Sequence, residues 1–329
     1  MTNSIGGKEE KLAEHRTAII TDKGGHWNRP DSTFRDVVSA DAGAKFPPEK
    51  GRYVLYVSFG CPWAHRAIIV RKLKGLEEII ELVEVGELVE GKGWAFNSPS
   101  GPDKDPRYGF KYLRELYDKA DPSYDGRITV PVLWDTKTET IVNNESSEII
   151  RIFFSAFDQL LPEARRESSK GAAALLPEAR KAEIDALNDR VYHTVNNGVY
   201  KCGFAGSQDA YESNVYPLFD TLDWLEERLS KGGPFLFGEH LTEADVRLYT
   251  TIARFDVAYF TIFRCNLKMI RYDYPHLHKW FRILYWDPDS KFDGAFKDTT
   301  RFPDYKSGYS RAAKSKIVPA GPVPDILPL

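Results

Sequence analysis

The chain has 329 residues, 42% of them hydrophobic and 28% charged, with a net charge of -3 and three cysteines. That length predicts two domains of an ordinary soluble protein, and the missing basic excess excludes a general nucleic-acid binder. Cys61, Cys202 and Cys265 are too widely spaced for a disulfide framework or a zinc motif, so no metal is expected and a reducing compartment is. The longest apolar run, 248–263, is broken by Arg254 and Asp256, which argues against a membrane span. Glu9, Glu10 and Glu14 stand where a signal or transit pattern would need apolar or basic residues, so the expected address is cytoplasmic.

Residues 1–45 are polar, with turn chemistry at Lys23-Gly24-Gly25-His26 and Asn28-Arg29-Pro30, and read as a poorly structured or surface-hugging N-terminal extension. A first domain is expected over 46–158. It opens with an apolar strand, 53–59, which runs through Gly60-Cys61-Pro62 into a helix carrying Ile69, Leu73 and Leu76, with Gly75 as its stop. Residues 79–85 return as a second strand, so strand, helix and strand form a βαβ unit with a parallel pair. The stretch 86–126 is punctuated by glycines and prolines around one helical patch near 108–117. A connection that long inside a compact domain is usually functional or disordered. Residues 129–134 are the next strand, in which Pro131 marks an edge or ligand-facing position. Ile141-Val142 is a short strand, and 143–147 opens a helix with Ile149, Ile152 and Phe153 inward.

Residues 159–181 lack apolar periodicity and read as a linker. Leu-Pro-Glu-Ala-Arg occurs there twice, at 161–165 and 176–180, each time as a helix start. From 182 to 300 the period is helical throughout. Ile184, Leu187, Val191 and Val195 form one stripe, and Val215, Leu218, Leu222, Leu225 and Leu229 form the next. Thr242-Glu243-Ala244-Asp245 has the spacing of a capping box opening a helix over 243–260, and another helix falls near 275–286. The tail, 301–329, holds Pro303, Pro319, Pro322, Pro324 and Pro328 and is expected to wrap over the surface without helix.

The strand-Gly-Cys-Pro-helix run puts Cys61 at the positive end of a helix dipole, which favours thiolate over thiol. The plainer alternative is a buried cysteine packing as a small hydrophobe. Ala64 occupies the place of a second cysteine in a Cys-x-x-Cys dithiol, so the sulfur needs an outside thiol to complete a cycle. Glutathione is the obvious one. Its backbone would pair with a strand edge such as Val130. One carboxylate would rest on the helix start at Glu145-Ser146, where the Glu145 side chain meets the ammonium, and Arg127 would fork the second carboxylate. Singly these are an edge strand, a helix start and a solvated charge; their order behind Cys61 makes the set specific. Trp94, in the long connection, would cover the tripeptide or stack on an aromatic substrate. His65 and His193 read as local hydrogen-bond partners, and Cys202 and Cys265 as structural.

The run from Phe59 to Arg66, Val130-Pro131-Val132-Leu133-Trp134, Asn144-Glu145-Ser146, the segment from Thr242 to Leu248, Arg254-Phe255-Asp256 and Ile317-Val318-Pro319 together resemble the glutathionyl-hydroquinone reductases, the Xi-class glutathione transferases. The resemblance implies the glutathione transferase fold, an α/β thioredoxin-like N-terminal domain plus an all-α C-terminal domain. It also implies a homodimer that reduces S-glutathionyl-hydroquinones with glutathione as co-substrate. The catalytic cysteine falls on Cys61, and the glutathione positions on Trp94, Arg127, Val130, Glu145 and Ser146. The electrophile pocket falls on Tyr192, Tyr259 and Tyr305, the first two also serving catalysis. The chain departs from the family at Asp304-Tyr305-Lys306, where a His-Tyr-Tyr run is usual. An Omega-like thiol transferase or dehydroascorbate reductase would share Cys61, and a non-catalytic binding protein of the same fold is the alternative from another class.

Overall fold

A computed structural model describes residues 21–324 and 326. The chain folds as two compact units: residues 30–162 form one, and residues 21–29 join 163 onward in the other.

The first unit is built on a four-stranded sheet in the order β2-β1-β5-β6. β1 (Tyr53–Val57) is buried at every residue, as an apolar central strand must be. It leads into α1 (Pro62–Leu73), and β2 (Ile80–Glu84) then pairs with β1 in parallel, with Tyr53 opposite Ile80. This is the expected βαβ unit. Gly75, at φ +68°, closes α1: Leu76 N–H reaches back to the Arg71 carbonyl at 2.9 Å. The helix is not one-faced, since every residue from Pro62 to Val70 is buried.

β5 (Val132–Asp135) runs antiparallel between β1 and β6 (Thr140–Asn143). Pro131 therefore precedes an interior strand rather than marking an edge, where its missing N–H costs no ladder bond. The Val130–Pro131 peptide is cis. α3 (Ser146–Ser155) follows β6 and buries Ile149, Ile152 and Phe153.

The long connection is ordered from the sheet outward. A two-residue hairpin, β3 (Leu88–Val89) against β4 (Gly93–Trp94), is followed by α2 (Leu113–Ala120), which starts later than the helical patch expected from the sequence. Buried Asp105 accepts the Tyr56 hydroxyl at 2.6 Å and the Arg107 and Tyr108 N–H groups. Glu84, on β2, accepts the hydroxyls of Ser98 and Ser100.

Of the two forms expected for the N-terminal extension, residues 21–45 take the packed, surface-hugging one. Val38 and Phe46 are buried, and Asn144 grips the Phe34 backbone, accepting its N–H at 3.1 Å and donating its own N–H to its carbonyl at 3.0 Å. Residues 1–20 lie outside the described residues.

The second unit is helical: α4 (Lys181–Val191), α5 (Gly198–Gly203), α6 (Gln208–Ser230), α7 (Glu243–Arg254), α8 (Ile270–Asp273), α9 (Pro275–Trp286) and α10 (Phe302–Ala312). Both apolar stripes are buried. At α7 the capping box forms: Asp245 accepts the Thr242 N–H at 2.9 Å and hydroxyl at 2.8 Å, and also the Leu236 N–H and the Trp280 indole. Two wide turns with i→i+5 bonding interrupt the α geometry, Tyr192–Asn196 after α4 and Phe255–Tyr259 after α7. The helix expected over 243–260 is thus α7 plus such a turn.

Two further expectations change. The linker is a series of 3-10 turns between Asp158 and Arg180, held to the helical unit by the Glu243 N–H donating to the Leu175 carbonyl at 2.7 Å. Each Leu-Pro-Glu-Ala-Arg starts one turn, and only the second continues into an α-helix. The tail contains α10, because Pro303 sits in the first helical turn, where its missing N–H has no intrahelical partner. No described helix is long and apolar enough to cross a membrane.

Candidate active site

Cys61 is the N-cap of α1. Its N–H donates to the Ser58 carbonyl at 3.0 Å, and its own carbonyl accepts the His65 N–H at 3.0 Å. The sulfur makes no cap bond to the helix. It donates across to the Val130 carbonyl at 3.7 Å, and the residue is half-buried. The structure thus joins Cys61 to the residue before Pro131. Val130 lies just ahead of β5, whose pairing with β1 starts at Val132 opposite Tyr56, so it stands outside the ladder.

Glu145 is the N-cap of α3. Its N–H donates to Asn143 Oδ1 at 2.7 Å, which fixes the turn out of β6. Its carboxylate accepts the Ser147 N–H at 3.0 Å, the Ser147 hydroxyl at 2.9 Å and the Ser32 hydroxyl at 3.1 Å. Burial pushes this carboxyl up, but those bonds and the Arg66 charge outweigh it and hold it below the usual carboxylate range. Ser146 is buried, and Arg66 Nη1 donates to its hydroxyl at 3.4 Å. Trp94 is half-buried on β4, behind Gly93 at φ +87°. Arg127 lies three residues before Val130, and its carbonyl accepts the Tyr124 hydroxyl at 2.9 Å. Among the described residues no group of three or more His, Cys, Asp or Glu side chains converges to hold a metal.

The tyrosines belong to the helical unit, where the wide turns set them. Tyr192 opens the first wide turn, half-buried, its ring edge-on to His193 at 5.1 Å. Tyr259 ends the second wide turn and is fully buried. Its hydroxyl meets that of Tyr309 at 2.6 Å, and Tyr309 meets that of Tyr200 at 2.9 Å, a chain of three. Burial pushes the Tyr259 and Tyr309 phenols well above their ordinary value, so both stay neutral. Tyr305 acts on the same Arg254 guanidinium as the three tyrosines of that chain. It is fully buried, its hydroxyl accepts the Arg301 N–H at 3.1 Å, and its ring lies 3.7 Å from the Arg254 guanidinium.

Sequence reasoning missed Tyr200 and Tyr309 in this unit and Arg66 in the other. Tyr309 follows Tyr305 by one helical turn on α10, so a helix reading of the tail would have found it.

The N-terminal domain model of the glutathione S-transferases matches residues 60–154, and the C-terminal domain model matches 208–282. These are the thioredoxin-like and helical parts of the expected fold. The chain is 49% identical to glutathione S-transferase omega-like 2 of Schizosaccharomyces pombe over 93% of its length and 97% of the relative's. It is also 49% identical to the glutathionyl-hydroquinone reductase PcpF of Sphingobium chlorophenolicum, over 78% and 77%. The glutathione S-transferase Xi of Phanerochaete chrysosporium superposes with a TM-score of 0.88 at 49% identity, covering 96% of this chain and 100% of that one. The Xi glutathione transferase ECM4 of Saccharomyces cerevisiae, solved in complex with glutathione, superposes with a TM-score of 0.83 at 40% identity, over 92% and 99%. The chain belongs to the Xi-class glutathione transferases, the glutathionyl-hydroquinone reductase family of enzymes.

Proposed function

We propose that this enzyme removes glutathione from S-glutathionyl-hydroquinones through a mixed disulfide on Cys61. The observation that carries the reading is the Cys61 sulfur at the start of α1, 3.7 Å from the Val130 carbonyl. A sulfur there meets the thioether of a glutathione whose backbone lies along Val130. Glu145, held as a carboxylate, receives the ammonium. The α3 start with Ser146 takes the neighbouring carboxylate, Arg127 takes the other, and Trp94 covers the tripeptide.

Direct thiolate attack on an aryl thioether would expel an aryl carbanion, a poor leaving group. The hydroquinone avoids this by ketonising, which places the sulfur on a carbon beside a carbonyl. Cys61 then attacks the glutathionyl sulfur. The new S–S bond forms as the C–S bond breaks, and its electron pair passes into the ring as the hydroquinone enolate, which is protonated. A second glutathione thiolate attacks the mixed disulfide, releasing Cys61 and oxidised glutathione. Ala64 suits this cycle, since no thiol stands there to intercept the disulfide.

In this reading Tyr192, half-buried, donates to the ring oxygen and Tyr259 supports it through the hydroxyl chain. Tyr305, enclosed against Arg254, is the third tyrosine of the proposed electrophile pocket. The enzyme is further proposed to be cytoplasmic and a homodimer, the latter checked by sedimentation.

Intact mass after mixing with a glutathionyl-hydroquinone tests the chemistry. One glutathione on Cys61, removed by free glutathione, is the expected result. Unchanged mass with tight ligand binding would make the protein a binding module, and faster turnover of dehydroascorbate would make it a thiol transferase.

A further inference from the structure

We propose that Arg66 on α1 is a positioning residue for glutathione, organising the Glu145–Ser146 helix start so that it receives the ligand's ammonium. The inference rests on the reading of Glu145 given above.

Arg66 is 1% exposed, an unusual place for a cation. Its guanidinium lies over the Trp63 ring, 4.5 Å from the centroid, so both α1 residues are fixed against each other. From there Nη1 reaches the Ser146 hydroxyl at 3.4 Å, and that hydroxyl lies 3.4 Å from Glu145 Oε1. The helix that presents the sulfur is thereby linked to the helix start that presents the carboxylate. A bolt between two helices would need no charge; leucine and isoleucine pack such contacts at lower desolvation cost. What a charge adds here is control of a second, opposite charge.

Glu145 needs that control. Burial alone would favour its neutral form, which cannot ion-pair with an ammonium. The cations facing it are Arg66 from α1 and Arg35 from the segment before β1. Arg35 is committed to Glu148 and is about half exposed, so its effect is screened. Arg66 is the enclosed cation of the set. Without it, the balance at Glu145 tips back toward burial, and the carboxyl takes up a proton at a higher pH.

Binding of S-methylglutathione, which has no thiol to exchange with Cys61, tests this by calorimetry at pH 5.5 and 8.0. Its amine stays protonated and its carboxylates ionised across that range. The wild-type enzyme is expected to bind with less than about a twofold difference between the two pH values. Arg66→Met should bind more weakly at pH 5.5 than at pH 8.0, by more than about twofold, and recover most of the loss at the higher pH. Arg66→Lys keeps the charge and should stay flat with pH. Arg66→Gln keeps a donor for Ser146 without the charge and should follow the methionine variant, which covers the case where the latter fails to fold. An equal loss at both pH values, or none, overturns the proposal in favour of a purely structural bolt. Glu145→Gln separates the underlying reading: if it binds like wild type, Glu145 does not receive the ammonium. If Glu145→Gln binds weakly and flat with pH, that reading stands, and adding Arg66→Met to it should introduce no pH dependence.

Discussion

In the sheet unit the functional groups sit where secondary structure ends: Cys61 caps α1, Val130 lies just before β5, and Glu145 caps α3. In the helical unit the tyrosines sit inside, on or beside wide turns, and Tyr259 and Tyr309 satisfy each other's hydroxyls in the core. The first arrangement uses helix starts and a strand end, whose dipoles and backbone groups a ligand entering the site can share. The second uses buried side chains, whose hydrogen bonds must be complete before a ligand arrives. Substitutions at the caps of the sheet unit should therefore act on chemistry, and those at the enclosed hydroxyls and carboxylates of the helical unit first on stability.

Cys61→Ser gives the largest expected effect, a loss of roughly a thousandfold or more in turnover with unchanged unfolding behaviour. Substantial residual activity would remove the sulfur from the mechanism. Asp245→Ala should cost about 3 kcal/mol in urea unfolding, because it leaves buried donors from Leu236, Thr242 and Trp280 without their acceptor. The rate of Cys61 alkylation by iodoacetamide should survive that change at low denaturant; a parallel loss would erase the contrast between the units. Glu145→Gln should raise the KM for glutathione about tenfold with a smaller change in kcat, as expected when binding loses an ion pair. Tyr309→Phe is the smallest, about 1 kcal/mol, since it strips the Tyr259 hydroxyl of a partner in the core. If Tyr309→Phe instead lowered kcat as far as Glu145→Gln raises KM, the hydroxyl chain would belong to the chemistry more than to the packing.

The same contrast explains what could be read from the sequence. Gly60-Cys61-Pro62 and Thr242-Glu243-Ala244-Asp245 are local signals, because caps and first turns demand particular residues at fixed offsets. The apolar stripes of α4 and α6 were equally legible from their period. The wide turns at Tyr192–Asn196 and Phe255–Tyr259 have no such signature, and they move the tyrosines off a regular helix face. α10 was hidden because Pro303 reads as a breaker when it stands in a first turn. Residues 30–46 look like an extension because their anchors, Asn144 and Glu145, come a hundred residues later in the chain.

The path of the chain between the units has a practical outcome. Residues 21–29 belong with the helices, 30–162 with the sheet, and 163 onward with the helices again. Among the described residues the polypeptide therefore crosses between the bodies twice, at 29–30 and at 162–163. A protease cut among the 3-10 turns separates the chain into two pieces, yet the N-terminal piece still carries residues 21–29, which pack within the helical body. A sheet fragment made by truncation at 162 would also carry Trp27 away from the Tyr200 and Phe204 rings that bury it. An isolated sheet body should begin at residue 30, with the helical body receiving residues 21–29 as a separate peptide.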